Sequence, residues 1–189
     1  ALTVALRGAA AFNVKVETLA HASHSGMFGG AVPDAFMAAT KMLATLWDDE
    51  GNVAVKGLTN ADLDVPDFTE EELRRDAGLL DGVTPIGTGK ILERLWAKPA
   101  ISLTGIDAPS IANASNTLIP SVTVRVSGRV APGQDADEAA AALKQHLLDH
   151  APFGAKVTFE GEDNGQAFLV DTTGWGAKAM REAMADAWV

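Results

Sequence analysis

Residues 120–131 read PSVTVRVSGRVA. Val122, Val124, Val126 and Val130 fall on one face of this extended stretch, and Thr123, Arg125, Ser127 and Arg129 fall on the other. That alternation predicts a half-buried strand. The stretch FNVKVET (12–18) repeats it, with Phe12, Val14 and Val16 set against Asn13, Lys15 and Glu17, so residues 2–18 read as one long strand or a bent pair. AISLTGI (100–106) supplies a third strand, joined to the valine strand by a polar loop over 107–120. Between FNVKVET and AISLTGI lies a helix beginning near Pro33, with Phe36, Ala39, Leu43, Leu46 and Trp47 at helical spacing until DDEGN (48–52) stops it. PGQDADEAAAALKQHLLDH (132–150) predicts a second helix with an acidic start and the stripe Ala136, Ala140, Leu143 and Leu147; AKVTFE (155–160) follows as a short strand. The order β, α, β, β, α, β places the chain in the α+β class, as a ferredoxin-like βαββαβ sandwich. Four antiparallel strands then carry both helices on one face.

Two segments fall outside that plan. Residues 52–99 read as an insertion, in which Thr69 and Glu72 form a capping box ahead of EELRRDAGLL and KILERLW makes a second short helical stretch. A last helix over about 174–188 puts Trp175, Ala179, Ala183 and Ala187 on one side, with Met180, Met184 and Trp188 beside them. No strand follows it. The chain begins without methionine and ends in MADAWV without a helix stop signal, so both ends read as cut from a longer chain.

Composition excludes several function classes. The 15 Lys and Arg against 25 Asp and Glu give a formal charge of −10, which repels phosphate backbones, and nucleic acid is not an expected partner. The absence of cysteine removes disulfides, thiolate metal sites and a cysteine nucleophile. No apolar run is long enough to cross a bilayer, so no membrane partner is expected and the chain is placed in the cytoplasm.

The stretch HASHSGMFGG (21–30) raises three chemistries. It lacks the glycine spacing of a dinucleotide loop, and IGTGKI (86–91) lacks the upstream glycine and hydroxyl residue of a P-loop. Ser25 lies in no G-x-S-x-G elbow. His146 and His150 stand one helical turn apart with Asp149 between them, a spacing compatible with a metal, but no third ligand is evident and they read as a solvated pair. No complete metal site is expected in this chain. Arg129 ends a strand on its polar face, where its fork can meet a carboxylate or a surface acid.

LRGAAAFNVKVE, HSGMFGGAVPDA, WAKPAISLTGID and NTLIPSVTVRVSGRVAPGQD occur in an order and spacing that resemble the lid, or dimerisation, domain of the zinc amidohydrolase family of carnosinase-type dipeptidases, aminoacylase and succinyl-diaminopimelate desuccinylase, closest to the dipeptidase branch. The resemblance covers residues 1–165, leaving 166–189 as the return segment towards a catalytic domain. It implies a homodimer formed through a sheet edge and the helix at 33–48, and a small peptide substrate hydrolysed at two zinc ions held in the separate catalytic domain. It assigns His24 to stabilising the oxyanion across the dimer, Arg129 to the substrate's C-terminal carboxylate, and Thr117 to a substrate contact. By itself the chain would bind no zinc and hydrolyse nothing. His21 lies outside the motif and reads as surface. A stand-alone amino-acid-binding regulatory module has the same βαββαβ shape and is the alternative; an RNA-binding sheet would show stacking aromatics where these strands carry valine and arginine.

Overall fold

A computed structural model describes residues 3–188; residue 2 of the predicted first strand and residue 189 of the return segment lie outside the described residues. In chain order the elements are β1 (Ala5–Leu6), β2 (Gly8–Glu17), β3 (Ser23–His24), α1 (Ser25–Phe28), α2 (Ala35–Ala44), α3 (Glu70–Ala77), β4 (Ala100–Asp107), β5 (Thr117–Leu118), β6 (Ser121–Val130), α4 (Ala136–Asp149), β7 (Lys156–Gly165), β8 (Phe168–Leu169) and α5 (Trp175–Ala187). The main sheet has the order β4-β6-β2-β7, antiparallel throughout. This is the ferredoxin-like arrangement expected from sequence.

The register explains the core. Phe12 pairs with Val126, Val14 with Val124 and Val16 with Val122, so the apolar sets of β2 and β6 lie side by side. All six are buried. Ala38, Ala39, Met42 and Leu43 of α2 and Ala139, Ala140, Leu143 and Leu147 of α4 close over them. α2 lies over β2 and β6, α4 over β2 and β7. Phe12 also meets Phe159 edge to face, with ring centroids 5.4 Å apart. Polar side chains cap both helices: Asp34 accepts from the Met37 amide at 2.9 Å, and Asp135 from those of Asp137 and Glu138 at 2.9 and 3.0 Å.

The first strand is the bent pair that the sequence allowed, broken at Arg7, and its short half β1 leaves the main sheet to pair with β8. The structure departs from the sequence reading in three places. The α2 face is rotated from the predicted stripe: Phe36 is 44% exposed, while Ala35, Ala38 and Met42 point inward. Alanine lets the helix come close to the sheet, so the small residues win the interior. Pro33 precedes the Asp34 cap and is not itself helical. β7 runs to Gly165, five residues past the predicted end, across a bulge opposite Ala11 to Asn13; Gly161 sits there at φ +61°, a conformation that glycine adopts without cost.

Within the insertion the Thr69–Glu72 capping box forms in both directions, and the second helical stretch forms with a π-helical turn over Glu93–Ala97. α5 buries none of its residues, and Trp175 is 87% exposed. Among the described residues no helix is long and apolar enough to cross a membrane.

Candidate functional site

His24 is held by backbone on both sides. β3 pairs with β5 so that His24 lies directly opposite Thr117 and Ser23 opposite Leu118, and the Ser25 amide donates to the Asn116 carbonyl at 2.9 Å. The ladder turns straight into α1, with His24 as its N-cap. The imidazole Nδ1 accepts the Gly26 amide at 3.1 Å. A neutral ring that accepts at Nδ1 carries its proton on Nε2, so the solvent-facing nitrogen is a donor. Glycine at position 26 leaves room for the ring in this position: a Cβ would stand 2.9 Å from His24 Cε1 and 3.2 Å from Nδ1, and the imidazole would have to move. Ser25–Phe28 is a one-turn helix with the imidazole at its N-cap and Gly29 at its C-cap.

Cross-strand partners hold their Cβ atoms about 4.5–5.5 Å apart, which puts half-buried Thr117 beside exposed His24 on one ledge. The Thr117 hydroxyl is 2.7 Å from that of Ser115, and either can donate. Two hydroxyls and an imidazole thus face one side.

Arg129 is elsewhere. It lies near the end of β6, between Ala9 and Ala100, exposed on the sheet face that carries no helix. The His24 ledge adjoins the other end, where Glu17 pairs with Ser121 and the Thr18 amide donates to Pro120. At about 3.3 Å per residue, Ser121 and Arg129 are about 26 Å apart. A dipeptide spans about 7 Å. One chain does not bring its histidine and its arginine to the same small substrate.

The remaining histidines have structural surroundings. His146 packs on α2: its Nε2 is 3.1 Å from the Thr45 carbonyl and 3.0 Å from the Thr45 hydroxyl, and its ring stacks on His150 at 4.1 Å. His150 Nδ1 donates to the His146 carbonyl at 2.7 Å. The sequence reading of a solvated pair is corrected, since His146 is a half-buried strut between the ends of α2 and α4. Burial, followed by the charge of His150, lowers its pKa below the ordinary histidine value. His21 is exposed, as expected. No group of three or more metal-ligating side chains occurs among the described residues. A cavity of about 660 Å³ lies between the insertion and the start of β4, walled by Trp47, Leu73, Ile86 and Arg94 among others; His24, Thr117 and Arg129 do not line it.

The sequence matches the M20 peptidase dimerisation domain over residues 4–155, and the chain belongs to that family. It is 32% identical over 190 residues to the cysteinylglycine-S-conjugate dipeptidase of Corynebacterium striatum, covering 99% of this chain and 42% of that protein. It is 28% identical over 157 residues to the Cys-Gly metallodipeptidase dug1 of Schizosaccharomyces pombe, covering 77% of this chain and 33% of the relative. The fold is similar to that of the di-peptidase Dug1p of Saccharomyces cerevisiae, with a TM-score of 0.74 at 22% identity over 99% of this chain and 42% of the other. The chain thus spans under half the length of these relatives. Gly26, which seats the imidazole, was legible in the sequence only as one glycine of the HSGMFGG stretch, with nothing to mark it out from Gly29 and Gly30.

Proposed function

We propose that this chain, residues 1–165 as lid and 166–189 as return segment, belongs to a metal-dependent dipeptidase that works as a homodimer. The observation that carries the reading is the separation of His24 and Thr117 from Arg129. Two ends of one sheet cannot serve one dipeptide, but two copies related by a twofold axis can each lend an end to the other's site. Arg129 then holds the substrate's C-terminal carboxylate, while the partner's copies of the other two residues reach the scissile carbonyl. There the Nε2 proton of His24 donates to the oxyanion as it develops, and Thr117 contacts the substrate. The names of the two relatives support cysteinyl-glycine peptides as substrate. No group of three or more metal-ligating side chains occurs among the described residues; His146 Nε2 is engaged with Thr45 at the end of α2 and His150 Nδ1 with a carbonyl of its own helix. Two zinc ions would be held by another part of the protein. A cytoplasmic location is part of the same reading.

The test is complementation in the whole enzyme. His24→Ala should lower kcat by about a hundredfold or more with metal content and folding intact, the usual cost of one lost oxyanion donor. Mixed with a variant lacking its metal ligands, it should regain about a quarter of wild-type activity, because about half the dimers are mixed and each has one complete site. If both variants stay inactive after verified subunit exchange, His24 does not act in trans.

A further inference from the structure

The end of the sheet that carries Arg129 holds a second arginine. Arg7 falls between β1 and β2, one residue before the Gly8–Val130 pair, and so lies beside Arg129 where β2 and β6 end. Its guanidinium reaches across β6, and Nη1 donates to the Lys98 carbonyl over a long 3.5 Å. Neither arginine is ion-paired among the described residues, although the chain has ten more acidic than basic residues, 25 against 15. Arg7 is half-buried. Burial, and then the charge of Arg129, lowers its pKa from the ordinary arginine value. A guanidinium that is partly desolvated, weakly hydrogen-bonded and set beside a like charge is disfavoured unless an anion completes the arrangement. Among the described residues no carboxylate does so.

We propose that Arg7 is a second binding residue for the substrate carboxylate, so that one carboxylate group bridges Arg7 and Arg129. The inference rests on the assignment of Arg129 above. A carboxylate has two oxygens and about four lone-pair sites, enough to accept from two arginine forks at once. Lys98 braces one edge of the Arg7 fork and leaves its other donors free. The doublet would make the site demand a free C-terminus.

The decisive comparison uses the whole enzyme with Cys-Gly and with its C-terminal amide. Arg7→Met should raise KM for the acid about tenfold or more, the worth of one hydrogen bond to a charged group, with little change in kcat and a much smaller loss of kcat/KM for the amide. Arg7→Lys should recover most of the loss. If Arg129→Met discriminates acid from amide and Arg7→Met does not, the role of Arg7 is overturned and that of Arg129 stands. If neither discriminates, both fall. Equal losses on both substrates would make Arg7 only a brace and overturn the proposal. Should Arg7→Met not fold, the wild-type whole enzyme decides: N-acetylglycine, but not its amide, should move the Nε–H signals of Arg7 and Arg129 together. Movement of Arg129 alone overturns the inference.

Discussion

Replacing Gly26 by Ala separates the position of His24 from the stability of the fold. The new Cβ would sit 2.9 Å from His24 Cε1, closer than any tolerated contact, so the imidazole must rotate away and give up the Gly26 amide at Nδ1. Losing an N-cap bond costs about 1 kcal/mol, whereas alanine in place of glycine inside a helix gains about 1 kcal/mol. The two nearly cancel. The melting temperature of the chain should therefore change by no more than about 3 °C. The ring itself should report the change: in wild type the imidazole nitrogen shifts should show the Nε2–H form, and in Gly26→Ala the two tautomers should mix. In the whole enzyme kcat should fall about a hundredfold, the cost of misplacing a donor by about 1 Å. A variant that keeps full activity while its histidine tautomer is scrambled would refute the argument that Nε2 is the working donor.

Three further outcomes follow from the packing. Phe12→Ala should destabilise the chain by about 3–5 kcal/mol in urea unfolding, since Phe12 is fully buried between both helices and meets Phe159. His146 has a lowered pKa, so the folded state favours its neutral form; stability is complete above the ordinary histidine pKa and falls as pH drops through that value towards the folded one, and His146→Gln should flatten this part of a melting profile from pH 7.5 to 5.5. Ile106 is 54% exposed on the free edge strand β4, next to the side of the sheet that α2 covers; Ile106→Lys should abolish self-association in sedimentation without lowering the melting temperature.

What could be read from the sequence divides by the kind of force involved. β2, β6 and α4 were legible because each buries one face and so imposes a period on its residues. The β3–β5 ladder was not. It is two residues long, joins positions 93 and 95 apart, and is held by backbone hydrogen bonds that leave no side-chain pattern. The far half of β7, EDNG, was invisible for the same reason, since its pairing to β2 survives a bulge and needs no apolar residue. In α2 the apolar residues surround the helix, and only contact with the sheet decided that Ala35 goes in and Phe36 out. Of the site residues, the roles of His24, Arg129 and Thr117 came from family resemblance. Arg7 had no signal beyond a charge at the break in an apolar alternation.

The β1–β8 ribbon has a consequence for how such a domain can be moved between proteins. Leu6 pairs with Phe168 and Ala5 with Leu169, so the chain enters and leaves the sheet domain about 5 Å apart. To a host fold, the whole domain then looks like a hairpin tip. Closing a loop costs entropy that grows only with the logarithm of its length, and here the ribbon fixes the ends once the domain folds. Grafted at Leu6 and Phe168 into an exposed turn of an unrelated protein, it should leave the host's own melting transition in place.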